Sequence, residues 1–333
     1  MKNRMWKKMV SVIACAAMTT ALFAGCGAEK EEGANESSKG TGETYNIGVL
    51  QYAPHPALDA ANKGFFKALD DLGIAYKADQ QNAAGETNTC QTIAETLVNS
   101  NNDLIFTIAT PAAQVVAGLT QEIPIVLTAV TDPADSGLVE SNDKPGGNVT
   151  GSSDLTPVKE QIAMIKKIFP EAKTVGMLYC SSEANSIFQI ELAKQACEEE
   201  GLEAVDFVVS SSNEIQTIVE SAVGKVDAMY SPTDNIVANN MATVGMICGE
   251  NKIPIFCGEE NMVENGGLAT YGLNYEEIGY LAGEQAAKIL TGESTPAELP
   301  IAYLDASQYS LTINEEMAAT LGLDPKEIEE VLK

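Results

Sequence analysis

The sequence is poorest in the residues that carry most neutral-pH chemistry and most recognition of flat or anionic ligands. Among 333 residues there is one histidine (His55), one arginine (Arg4) and one tryptophan (Trp6). A single imidazole excludes a multi-histidine metal cluster, and His55 has no Gly-x-Ser-x-Gly elbow to serve in a triad. Walker loops and Gly-x-Gly-x-x-Gly turns after a strand are also missing, so the usual phosphate cradles are excluded. Bases are scarce: 20 Lys+Arg stand against 47 Asp+Glu, and no basic patch for nucleic acid can be assembled. The seven cysteines lack Cys-x-x-Cys spacing, which argues against a zinc site or a disulfide framework. No metal and no cofactor is expected, and the cysteines read as small buried hydrophobes with one pairing left open.

What is present divides the chain into three. Residues 1–8 are cationic and 9–24 apolar, the make-up of a signal peptide rather than a membrane span. That run ends in Leu22-Phe-Ala-Gly-Cys26, which resembles a bacterial lipobox with Phe23 in place of the usual leucine. The expectation is a lipoprotein signal peptide over 1–25, lipidation (a palmitate-type anchor) at Cys26, and an extracytoplasmic protein held to the cell membrane. Residues 26–44, rich in Gly, Ser and Glu without apolar periodicity, read as a disordered tether. Its length corresponds to roughly 24 Å root-mean-square. Cleavage would remove Lys2, Arg4, Lys7 and Lys8, leaving 47 acids against 16 bases, no arginine and no tryptophan.

From residue 45 onward, strand and helix signals alternate. Strands are expected over 45–50, 75–79, 103–108 and 123–127, with helices starting at His55, Thr87 and Thr110. The pattern restarts with helices over 157–169, 183–200, 214–222 and 235–250, and strands over 174–179, 203–209, 226–230 and 253–257. A helix over 276–290 and a returning strand within 303–313 follow. Strands that are apolar throughout, separated by amphipathic helices, imply parallel sheets covered on both faces. The fold class expected is α/β: two Rossmann-like lobes with parallel sheets, joined by a hinge. The N-terminal lobe is assigned 45–153 with 272–300, and the C-terminal lobe 154–271 with 301–333.

Ligands of open parallel sheets sit beyond the carboxyl ends of the strands. The loops there carry Gln51, Tyr52 and His55; Thr110 and Ala112; Thr131 and Asp132; Ser182, Asn185 and Ser186; Asp234 and Asn235; and Glu259. Several of these residues equally suit plain helix capping, and His55 equally suits a loop before a helix. Without arginine, a ligand carboxylate must be held by main-chain N–H groups and hydroxyls, as at Thr110, Ala112 and Thr131. Asp234 is the leading partner for an ammonium, with Glu259 and Asp132 as alternatives. Tyr52 could flank a ring or lie on the surface, and Ser182, Asn185 and Ser186 would add polar contacts from the second lobe.

The stretches Ile47-Gly-Val-Leu-Gln51, His55-Pro-Ala-Leu-Asp59, Ala109-Thr-Pro-Ala-Ala-Gln114, Thr131-Asp-Pro133, Tyr179-Cys-Ser-Ser-Glu-Ala-Asn-Ser186 and Pro232-Thr-Asp-Asn235 together resemble the substrate-binding lipoproteins of ABC importers. More narrowly, they resemble the tryptophan/tyrosine branch, in the type I periplasmic binding protein fold. That resemblance implies a monomer that captures an amino acid, expected to be aromatic, and delivers it to a permease and an ATPase. It also implies three crossovers near 152–156, 270–274 and 300–304. A binding protein for a sugar, nucleoside or other small solute is the alternative, and an extracytoplasmic hydrolase using His55 a more distant one. The absence of tryptophan for stacking on a sugar face favours the amino acid.

Overall fold

The computed structural model describes residues 43–332; the signal segment, Cys26 and most of the tether lie outside them. The described chain begins with β1 (Thr44–Gln51), α1 (Pro56–Asp71), β2 (Ala75–Asn82), α2 (Thr87–Val98), β3 (Leu104–Ile108), α3 (Thr110–Leu119), β4 (Ile125–Thr128) and β5 (Val149–Gly151). These strands form one parallel sheet in the order β2-β1-β3-β4-β5. β3 and β4 are buried along their whole length, as expected of Leu/Ile/Val-rich strands in the middle of a two-faced sheet. β2 departs from that expectation: Ala-Tyr-Lys-Ala-Asp-Gln-Gln-Asn is mostly exposed because it is the sheet edge, and its charged and amide side chains discourage further pairing.

A second run follows: α4 (Val158–Ile168), β6 (Thr174–Cys180), α5 (Ala184–Glu199), β7 (Glu203–Val209), α6 (Ile215–Ala222), β8 (Ala228–Ser231), α7 (Asn235–Ala238), α8 (Met241–Glu250), β9 (Ile255–Cys257), α9 (Glu260–Glu264) and β10 (Ala269–Gly272). The chain ends with α10 (Tyr275–Leu290), β11 (Ser310–Ile313), α11 (Glu315–Leu321) and α12 (Pro325–Leu332). The second sheet has the order β11-β10-β9-β8-β6-β7, parallel except that β11 runs antiparallel to β10. The helix expected over 235–250 is two helices. Asn240 Nδ2 donates to the Ile236 carbonyl at 2.8 Å, a side chain standing in for the ladder bond, and the chain turns there.

Each sheet is sandwiched. The first core centres on Ile47, Leu50, Phe106 and Ile125, with Phe65 of α1 stacked on Phe106 at 3.7 Å between ring centroids. The second sheet has separate apolar clusters, one under α4, α5 and α12 and another under α6 and α8. The chain leaves the first sheet after Gly151, returns after Gly272 to lay α10 against α1, and leaves again beyond Ala302. Ser152 pairs with Ala302 there, and Ser153 N–H donates to Ala302 O at 2.8 Å, so two passages are stitched together. The α1–α10 contact is unusually close. A Cβ on Gly279 would stand 1.9 Å from Ala61 O, and one on Gly64 1.9 Å from Glu276 O.

The five described cysteines, Cys90, Cys180, Cys197, Cys248 and Cys257, are all buried and free. None pairs.

Candidate functional site

The carboxyl ends of both sheets converge on one narrow cavity. Its walls come from His55, Ala57, Leu58 and Ala129 on the first sheet's side, Asp154 and Tyr275 beside the passages between sheets, and Asn185, Thr233, Asp234, Asn235, Ala238 and Glu259 on the second. The cavity is tight, with a volume of about 30 Å³. A larger gap of about 460 Å³ between α8 and α11 is an open surface groove that contains none of these residues.

Local sequence explains how the walls form. His55 caps α1: its Nδ1 accepts from Ala57 N at 3.3 Å, and Pro56 at the first helical position supplies a preset φ. Asp234 caps α7 through Val237 N at 2.8 Å, and its other oxygen takes Cys180 N at 2.6 Å. Glu259 caps α9 through Met262 N (2.6 Å) and Asn261 N (2.8 Å). At the ends of β3 and β4, Ala109 (φ 81°) and Ala129 (φ 54°) occupy the left-handed region without being glycine. Strain of that kind costs about 1–3 kcal/mol per residue and persists where the surroundings impose it, commonly at binding sites.

The electrostatics are one-sided. Asp154, Asp234 and Glu259 line the cavity, Glu183 lies behind Asn235, and no lysine is among the walls. Burial drives the carboxyls upward: Asp154 to about 6 and Glu259 to about 7. Glu183 and Asp234 are raised as well, by burial, and Glu183 also by the charge of Asp234. Burial lowers His55, whose Nε2 stands 3.9 Å from Glu259 Oε1, so the one imidazole offers little compensation. Asp154 has the poorest set of partners, two neutral hydroxyls: Thr131 Oγ1 at 3.0 Å and Tyr275 Oη at 3.0 Å. Asn185 donates its Nδ2 to Thr233 O at 2.8 Å, but its buried Oδ1 has no partner. The arrangement therefore offers acceptors and negative charge to something that brings donors and positive charge.

The expected site residues fall into three groups. His55, Asn185, Asp234, Asn235 and Glu259 meet at the cavity. Thr110, Ala112 and Thr131 are buried beside it, where α3 contacts α5, but are not in its walls; the Thr110 hydroxyl has no partner. Ser186 is likewise buried, next to Asp234. The others face elsewhere. Gln51 Nε2 braces its own loop through Ala53 O and Asp59 Oδ1, and the buried Tyr52 sends its hydroxyl to Gly85 O at 3.1 Å. Asp132 is taken by Ala134 N, Asp135 N and Asn142 Nδ2, and exposed Ser182 sits 3.1 Å from the Cys180 sulfur.

Sequence reasoning passed over Asp154, Tyr275, Thr233 and Glu183. Asp154 could have been found, since it is the one acid inside the first expected crossover. Glu183 could not: it stands at the start of α5, yet its carboxylate accepts from Asn235 N and Ile236 N of α7, a contact between loops remote in sequence. Among the described residues no group of three or more His, Cys, Asp or Glu has the arrangement to hold a metal ion.

Comparison with known proteins identifies what this geometry belongs to. Residues 46–333 match the family described as ABC transporter substrate binding protein. A tyrosine-binding protein of Clostridioides difficile (strain R20291) is 39% identical over 323 residues, covering 95% of this chain and 93% of its own. A Streptococcus pneumonia ABC domain solved in complex with L-Trp is 38% identical with a TM-score of 0.82, covering 86% of this chain and 98% of that one. The ligand-free, open structure of a Clostridium difficile substrate binding protein with adhesive properties is 42% identical, over 84% and 95% of the two chains, with a TM-score of 0.65. With two mostly parallel α/β sheets facing one cleft, the chain belongs to the ABC transporter substrate-binding proteins of the type I periplasmic fold.

Proposed function

We propose that this substrate-binding component captures an aromatic amino acid, L-tyrosine or L-tryptophan, in the cavity between its sheets and presents it to a permease powered by an ATPase. The observation that carries the reading is the tight cavity walled by Asp154, Asp234 and Glu259, with the unpartnered Asn185 Oδ1 and no lysine among its walls. An ammonium group supplies the missing donors and charge. The ligand carboxylate meets the start of α1, a 16-residue helix whose Ala57 and Leu58 line the cavity and whose N-terminus carries partial positive charge. The names of the two relatives, tyrosine-binding and L-Trp-bound, support the ligand class.

The lobes proposed are 45–153 with 272–300 and 154–271 with 301–333, hinged where the chain passes between the sheets. The described arrangement reads as the closed form. It superposes better on the L-Trp complex than on the open, ligand-free relative, although the latter is more similar in sequence. Substrate-binding proteins of ABC importers work outside the cytoplasm. We take Cys26 as the lipid anchor and the protein as a monomer that binds without turnover. No helix of the described residues is long and apolar enough to cross a membrane.

Fluorescence tests the reading directly. Trp6 lies in the segment removed on maturation, so the chain from Cys26 onward has no indole and added L-tryptophan is the sole indole fluorophore. A saturable change in its emission, competed by L-tyrosine and not by hexoses, is expected. Free-ligand spectra at high protein concentration, with no heat of binding for L-tyrosine, would reject the assignment.

A further inference from the structure

Behind the cavity, five hydroxyl, amide and carboxyl groups form a chain that connects both sheets with the passage between them. Gln189 on α5 is fully buried, and its Nε2 donates to Thr131 Oγ1 at 3.2 Å across the cleft and to Thr233 Oγ1 at 2.6 Å on its own side. Its Oε1 faces Thr233 N at 3.3 Å, which fixes the amide orientation. The Thr131 hydroxyl donates to Asp154 Oδ1 at 3.0 Å and also lies 3.4 Å from Thr233 Oγ1. Asp154 in turn takes the Tyr275 hydroxyl and is itself a cavity wall. Gln189 is absent from the cavity walls; it reaches them through this chain and through Asn185 O, which its Nε2 also meets at 3.2 Å.

We propose that Gln189 is a positioning residue whose bond to Thr131 couples occupancy of the cavity at Asp154 to closure of the two lobes. The deduction follows from the direction of the bonds. Thr131 has one hydroxyl proton. With Asp154 as its acceptor, the oxygen lone pairs point across the cleft, where the Gln189 amide can reach them only when the lobes are together. A cation held at Asp154 keeps that carboxyl ionised and therefore a strong acceptor, which orders the Thr131 hydroxyl and favours the interlobe bond. Empty, the same buried carboxyl is driven toward its neutral form, and the Thr131 rotor loses its preferred direction. Closure is thereby biased to the liganded state, and the inference rests on the aromatic amino acid reading above.

Stopped-flow fluorescence with L-tryptophan separates the steps. Gln189→Leu should leave the association rate within about twofold and raise the dissociation rate roughly tenfold, the effect of losing about one net hydrogen bond. Gln189→Met, equally long and without the amide, serves if the leucine variant fails to fold. Thr131→Val, which also loses the bond to Asp154, should raise it at least as much, and the double variant should fall short of the product of the two effects, because both remove the Gln189–Thr131 bond. Small-angle scattering at saturating ligand should show wild type contracting and the variants contracting less. Unchanged dissociation in both Gln189 variants, or fully additive effects in the double variant, would overturn the coupling. Wild type that binds neither L-tryptophan nor L-tyrosine would overturn the site reading, and the coupling with it.

Discussion

At the residue scale, the buried carboxyls decide both selectivity and response to pH. Asp154 is the cleanest probe because it caps no helix and meets only two hydroxyls. Asp154→Asn should weaken L-tyrosine at least tenfold while barely affecting its deaminated analogue 3-(4-hydroxyphenyl)propanoate, as measured by calorimetry. Equal losses for both compounds would remove Asp154 from the ammonium site. Asp234→Asn is a blunter change: asparagine can keep the cap of α7, but its amide nitrogen would then face Cys180 N, donor against donor.

The same carboxyls set a pH dependence whose sign can be worked out. Their folded pKa values lie above the unfolded ones, so between the two the native state holds more protons and stability falls as pH rises. For Asp154 that window runs from the ordinary aspartate value up to about 6, and for Glu259 from the ordinary glutamate value up to about 7. His55, lowered by burial, opposes them, but it is one group against several. Below about pH 4 the exposed carboxyls Asp71, Asp227 and Asp305, which are lowered by their hydrogen bonds, lose their contribution. The ligand-free chain should therefore melt highest near pH 5 and less so at pH 8. Ligand affinity should run the other way, weakening as pH drops through 7 and 6, because protonated acids do not attract an ammonium. Melting curves across pH, with and without L-tyrosine, check both slopes.

At the element scale, the α1–α10 contact is where a single methyl should matter most. Gly279→Ala would drive a carbon into the Ala61 carbonyl, backbone against backbone, with no flexible side chain to yield. A loss of about 1–3 kcal/mol is expected from chemical denaturation. Elements were also the most legible level of the sequence. β1, α1, β3 and α5 lie within a residue or two of their expected ends, because continuous apolar runs in the strands, His55-Pro56 and Gly201 mark them locally. What the sequence hid is non-local. β5 is three residues long and defined by its pairing with β4, and β11 is antiparallel only because the chain re-enters at the sheet edge. The cavity was half legible for the same reason. Asp234, Glu259, His55 and Asn185 announce themselves at strand ends, whereas Tyr52 and Gln51, equally well placed in sequence, turn toward their own lobe.

At the scale of the whole molecule, the lopsided charge has little bearing on capture. Some 47 acids against 20 bases give a field that a zwitterion, with no net charge, scarcely feels at a distance. Recognition must then be made inside, once water has been excluded, which is why four acidic side chains are gathered around one tight cavity whose single imidazole, His55, is held toward its neutral form by burial. Raising salt from 50 to 500 mM should change L-tyrosine affinity less than twofold, since such buried interactions are poorly screened. A steep salt dependence would point instead to a cationic ligand drawn in by the surface.

The unpaired thiols have a practical corollary. Cys90 alone belongs to the first sheet's core, whereas Cys180, Cys197, Cys248 and Cys257 belong to the second sheet's clusters, and all are shielded. A thiol reagent applied under native conditions can therefore reach them only through local opening. The masses of the adducts would report which half of the molecule breathes first, with no label engineered into it.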